Sequence, residues 1–221
     1  MTHIALLGDS VLDNAVYVAP EKDVATQLQA LLPRPSKCTL LAADGSVTAD
    51  MPRQLERLPR DATHLVLSVG GNDALQREEI LTQRVAVVAE ALLLMETAVA
   101  EFETAYRAIV QSCTRRNLPL IVCTIYNGNF PDKSYARCAR IAVAIYNDAI
   151  IRIAAEAGAR VLDLREICRE PADYANPIEP SAIGSAKIAQ SIHQLCAQSP
   201  DGSDGRGWPL RKIESLLATF R

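Results

Sequence analysis

The chain has 221 residues, 49% of them hydrophobic, and a formal net charge of -3. That length suits one compact domain, the apolar fraction provides for a sizeable core, and the mild negative charge offers nucleic acid or an anionic membrane no overall attraction. Six cysteines, at 38, 113, 123, 138, 168 and 196, stand alone without a CxxC pair. This favours free thiols in a reducing cytoplasm over a disulfide framework or a zinc site.

The opening stretch MTHIALLGDS lacks the basic region of a signal peptide, and its short apolar run, His3 to Gly8, reads as a first strand. A helix pattern follows from Val24 to Leu32, then a second strand from Cys38 to Ala42 and a helix from Pro52 to Leu58. The third strand, Thr63 to Val69, and the fourth, Leu120 to Thr124, are nearly continuous apolar runs, as suits strands buried on both faces. Between them lies a long Ala-, Leu- and Glu-rich stretch, about Leu81 to Asn117, that predicts one long helix. A further helix is predicted from about Ser134 to Ala157, with Gly158 as its stop, then a fifth strand from Arg160 to Leu164 and a helix from Ala182 to Gln198. Charges interrupt the longest apolar stretches, so none reads as a membrane span. The domain is expected over 1–198. Residues 199–221 read as a Gly/Pro/Asp-rich linker and a tail with a short helix.

Strands alternating with helices predict an α/β fold with a parallel sheet covered on both faces, and such folds place their sites outside the carboxyl ends of the strands. Those ends carry Gly8-Asp9-Ser10, Asp44-Gly45 and Gly70-Gly71-Asn72-Asp73. Taken singly, each could be a turn or a helix cap. Together they set a serine at the top of the sheet with three donors around it: the Ser10 and Gly45 N–H groups and the Asn72 side-chain amide. Three converging donors form an oxyanion hole for acyl transfer.

In these blocks the chain resembles the SGNH, or GDSL-type, hydrolases, over roughly residues 3–195. The resemblance implies a three-layer α/β/α sandwich, flavodoxin-like, with strand order 2-1-3-4-5. It implies Ser10 as nucleophile and an oxyanion hole of Ser10, Gly45 and Asn72, with Asp9 and Asp73 in support. It also implies esters, thioesters or acylated sugars and lipids as substrates.

The family's fourth block reads DxxH, with the histidine as general base. Here the stretch is NPIEPSAIG, so Asn176 and Glu179 stand in the places of the Asp and the His. No other histidine fits the base. His3 and His64 belong to the amino ends of strands, His3 some 20 Å from Ser10. His193 is about 20 Å along a helix from Glu179. Glu179 is then the candidate base, its pKa raised by burial beneath Pro177, Ile178 and Pro180. Asn176 is expected to donate its amide to the Glu179 carboxylate. Asp13, Tyr126, Asn127 and Phe130 are further candidates for the substrate pocket. The sequence predicts no metal site and no cofactor, and the partner expected is a small or medium acyl ester. Two alternatives remain open: a ligand-binding relative without turnover, and an acyltransferase using the same acyl-serine.

Overall fold

A computed structural model describes residues 1–197. The loop and helix expected over 199–221 lie outside the described residues. Among the described residues, five strands form one parallel sheet: β1 (His3–Gly8), β2 (Lys37–Leu40), β3 (His64–Ser68), β4 (Leu120–Cys123) and β5 (Arg160–Leu162). Their order is 2-1-3-4-5, as expected. Registers such as Leu6 opposite both Leu40 and Val66 bring the carboxyl ends of β1, β2 and β3 to one edge.

Alternation along the strands divides the core into two layers. Ala5, Leu7, Leu65, Leu67 and Val122 face one side and pack with Met51, Phe102, Tyr106, Tyr146 and Ile150. Ile4, Leu6, Val66, Ile121 and Leu162 face the other and pack with Val24, Leu28, Ile188 and Ile192. The helices, in chain order, are α1 (Ala15–Val18), α2 (Val24–Leu31), α3 (Met51–Glu56), α4 (Gly71–Leu75), α5 (Val88–Thr114), α6 (Lys133–Glu156), α7 (Leu164–Ile167) and α8 (Ala182–Ala197). On the first side lie α3, α5 and α6, and on the second α2 and α8. Among the described residues no helix is long and apolar enough to cross a membrane.

Several ends follow from local chemistry. Asp23 caps α2 by accepting the Thr26 N–H at 3.0 Å, and Asp132 caps α6 by accepting those of Ser134 and Tyr135 at 2.7 and 3.0 Å. Gly158, at φ +65°, ends α6 as expected. The long helix is shorter than predicted. Its first expected turn is a separate 3-10 turn, Glu78–Thr82, and α5 starts only at Val88. The β-branched Val85 and Val87 interrupt it, and Glu90 reaches back to accept the Ala86 N–H at 2.8 Å, which fixes the new start. Strand five is likewise cut short, because the Asp163 side chain accepts the Arg165 N–H and opens α7 instead. All six cysteines are free thiols.

Candidate active site

The site starts from a glycine that nothing else can replace. At Gly8 the last residue of β1 takes φ +141°, and a Cβ there would lie 1.9 Å from the Ser68 carbonyl oxygen. Gln54 of α3 clasps this residue at both ends: Gly8 N–H donates to Oε1 and Nε2 donates to the Gly8 carbonyl, each at 2.8 Å. The Asp9 N–H then donates to the Ser68 carbonyl at 3.0 Å, and the chain turns so that Ser10 stands at the carboxyl edge of the sheet.

Ser10 is buried, and its Oγ donates to Glu179 Oε1 at 3.0 Å. The two residues line one cleft with Asp9, Gly71, Asn72, Tyr126, Asn127 and Phe130. Glu179 is only 4% exposed, and its Oε2 is buried without a hydrogen-bond partner. Burial pushes its carboxyl up to about 7; the Ser10 hydrogen bond opposes that rise and the Asp44 charge adds to it. Asp9 sits 3% exposed in the same wall, with Oδ1 accepting the Val11 N–H at 3.1 Å. Burial, and then the charges of Glu179 and Asp73, push it up to about 8.

The turn that presents Glu179 is braced from several sides. Ala175 N–H donates to the Glu179 carbonyl at 2.9 Å, and Tyr174 bridges to Pro180. Tyr126 donates its hydroxyl to the Ile178 carbonyl, and Asn129 N–H donates to that of Pro177 at 2.8 Å. Asn14, fully buried, donates to the Pro180 carbonyl at 3.1 Å and to Ser185 Oγ at 2.7 Å. Asn176 differs from the expectation. Its Oδ1 accepts the N–H groups of Ile178 and Glu179, both at 2.9 Å, and its amide makes no bond to the Glu179 carboxylate. The reason is local: an Asn two or three residues ahead closes an Asx turn on the backbone before it can reach a side chain.

Asn72, at the start of α4, lines the cleft and donates one amide hydrogen to the Ser46 carbonyl at 3.0 Å. That bond ties it to the loop carrying Gly45, whose φ of +76° requires glycine. Gly45 itself is not in the lining of the cleft. Asp73 turns away and accepts from the Thr48 N–H and hydroxyl, the latter at 2.6 Å. Asp13 also lies off the cleft, with Oδ2 accepting the Asp44 N–H at 3.0 Å. The histidines take no part. His3 engages Thr39 and Asp61, His64 engages Thr63, and none of the three lines the cleft. Among the described residues no group of three His, Cys, Asp or Glu is placed to hold a metal ion.

The model of the GDSL-like lipase/acylhydrolase family matches residues 6–187, which include Gly8 to Ser10, Gly70 to Asp73 and Glu179. The chain belongs to that family. Its fold is shared with solved GDSL-type and other ester hydrolases. An extracellular lipase from Streptomyces rimosus superposes with a TM-score of 0.69 at 16% identity, covering 90% of this chain and 100% of that one. Phospholipase A1 from Streptomyces albidoflavus gives 0.67 at 16% identity, with 87% and 98% covered. An acetylxylan esterase from Geobacillus stearothermophilus gives 0.61 at 18% identity, with 90% and 95% covered. No curated protein matches the chain by sequence.

Within this GDSL-type domain the structure adds residues that sequence reasoning missed. Gln54 is a polar residue in a helical stretch, and only its burial at 5% marks it. The cleft also extends along α5 and α6, past Met95, Ala139, Ala142 and Tyr146. Its only signal in sequence is the recurrence of small residues along one face of α6.

Proposed function

We propose that this protein is a serine-dependent acyl-ester hydrolase in which Ser10 is the nucleophile and Glu179 the general base. The observation that carries this is the hydrogen bond from Ser10 Oγ to a buried Glu179 carboxylate, within a family of acylhydrolases. A carboxylate in water is too weak a base for this task, since its pKa is about two units below that of imidazole. Burial of Glu179 closes that gap, bringing the carboxyl to about 7, in the range a base needs at neutral pH. The unpartnered Oε2 keeps the anion poorly solvated and therefore basic. Asp9 in the same wall is likewise pushed up, to about 8, by burial and by the Glu179 charge.

The steps follow from this arrangement. Ionised Glu179 accepts the Ser10 proton as Oγ attacks the ester carbonyl carbon. The carbonyl oxygen becomes an oxyanion beside the Ser10 N–H and the second amide hydrogen of Asn72, with Gly45 as the third candidate donor. As the tetrahedral species collapses, the carbon–oxygen bond to the alcohol breaks and Glu179 returns the proton to the departing alkoxide. Water, deprotonated by Glu179, then attacks the acyl-serine; the bond from the acyl carbon to Oγ breaks, Glu179 returns the proton to Ser10 Oγ, and the acid is released. Asn176 contributes by holding the backbone at Glu179.

The test is hydrolysis of p-nitrophenyl esters by the wild type and by Ser10→Ala. Turnover by the parent, lost in the variant, with acyl mass trapped on Ser10, is the expected result. The base is active when ionised, so kcat/KM should fall as pH drops through about 7. A Ser10→Ala variant that keeps the parental rate would overturn the proposal. An acyltransferase would show itself by faster turnover with added alcohol or amine, and a binding-only relative by no turnover at all.

A further inference from the structure

The proposed chemistry uses only one side of the cleft. The other side continues away from Ser10 between α5 and α6 and is mostly apolar, its polar groups being those of Arg77, Glu78 and Tyr135, the last donating its hydroxyl to Glu78 at 3.1 Å. On α6 it is formed by Ala139, Ala142, Val143 and Tyr146. Their spacing of i, i+3, i+4 and i+7 puts them on one stripe, about 10 Å long. Facing them are Met95 of α5 and Leu81 of the preceding 3-10 turn. The two alanines leave open the space that larger residues would fill.

The position of the stripe is fixed. Asn147, next to Tyr146, accepts the Ile125 N–H at 2.7 Å and donates to the Ile125 carbonyl at 2.8 Å, just beyond the end of β4. This pins that point of α6 to the edge of the sheet where Ser10 stands. The helix turns before it, with Ala139 and Ala142, therefore rise beyond the sheet. Tyr146 closes the inner end, 2% exposed and backed by Phe102 with ring centroids 5.0 Å apart. A mostly apolar slot closed at its inner end by Tyr146 accommodates an extended chain. An acetyl group would leave most of it filled with water against apolar walls.

Resting on the serine-hydrolase reading, we propose that this slot is the acyl subsite. The preferred substrate then carries an unbranched hydrocarbon acyl chain well beyond acetyl, and Ala139 and Ala142 set the length accepted. Each methylene buried along the stripe is worth a factor of about four in kcat/KM. The wild type should therefore prefer p-nitrophenyl octanoate to the acetate by at least about tenfold. Ala142→Phe fills the slot and should lower the octanoate-to-acetate ratio by at least about tenfold. Leu81→Trp, on the opposite wall and outside the main core, should lower the same ratio and serves if Ala142→Phe does not fold. Preference for acetate in the wild type, or an unchanged ratio in a folded variant, overturns the proposal. If no ester is turned over, the hydrolase reading fails, and the slot is judged by binding alone. The fluorescent fatty acid cis-parinarate should then bind the wild type, be displaced by octanoate, and bind Ala142→Phe at least about tenfold more weakly. No binding to the wild type would overturn the subsite.

Discussion

On the Ser10 side of the cleft, side-chain hydrogen bonds hold the backbone in place. Gln54 clasps Gly8, Asn72 holds the Ser46 carbonyl, Thr48 holds Asp73, and Asn176 holds the Glu179 backbone. On the α5–α6 side, packing shapes most of the wall, and the helices carry exposed apolar residues: Val88 at 75%, Leu92 at 60% and Ile141 at 65%. The difference teaches where each wall tolerates change. Removing one partner on the polar side strands a buried group, at a cost of about 1–3 kcal/mol. Changing volume on the apolar side alters shape and leaves no polar group unpaired. Glu179 Oε2, buried without a partner, sits at the proposed base.

The sharpest way to break this contrast is Glu179→Gln. The amide is nearly isosteric and cannot take the serine proton, so kcat/KM should drop by about three orders of magnitude. Near-parental rates would show that the proton goes elsewhere and that Glu179 only fills space.

Asn72→Ala comes next. Loss of an oxyanion donor should lower kcat by about two to three orders of magnitude. The variant should still fold, because it gives up one half-buried hydrogen bond, and thermal unfolding checks that. An unchanged kcat would take Asn72 out of the site.

A third outcome concerns stability against pH. In the folded protein Asp9 is raised from 3.8 to about 8 and Glu179 from 4.5 to about 7. Between those limits the folded state holds protons that the unfolded chain has lost. Their contribution to stability is thus fully present below about pH 4 and is lost as pH rises through 7 and 8. Melting temperature should fall over that range, and Asp9→Asn should flatten most of the fall. Parallel curves for parent and variant would mean that Asp9 titrates normally.

The smallest effect is expected on the other wall. Val88→Ser and Leu92→Ser remove apolar groups that already meet water, so unfolding free energy should stay within about 0.5 kcal/mol of the parent. A larger loss in chemical denaturation would mean that these residues are covered in solution.

Much of the fold was legible because its signals are local. Apolar runs mark β1, β3 and β4, the glycine at 158 marks the end of α6, and the small polar blocks after the strands mark the edge where Ser10 and Asn72 stand. The start of α5 was misread because residues 81–87 hold no Gly or Pro to mark a break, while the interruption depended on the Glu90 cap, which only the folded backbone shows. The role of Asn176 was misread for a similar reason: its residue type suits either a side-chain donor or an Asx turn, and only the backbone path selects the turn.

The sequence by itself determined the alternation of strands and helices, the motif blocks whose resemblance to a family implied the strand order, and the two residues that face each other, a serine at 10 and a glutamate at 179. It could do so because those features depend on residue type and short-range pattern. The tertiary structure alone decided that Glu179 is buried, that its carboxylate receives the Ser10 hydroxyl, and that the space beside them runs along α6. Burial and cavity shape are properties of surfaces brought together from distant parts of the chain. The basicity of a carboxylate depends on the water excluded around it, which no local pattern encodes.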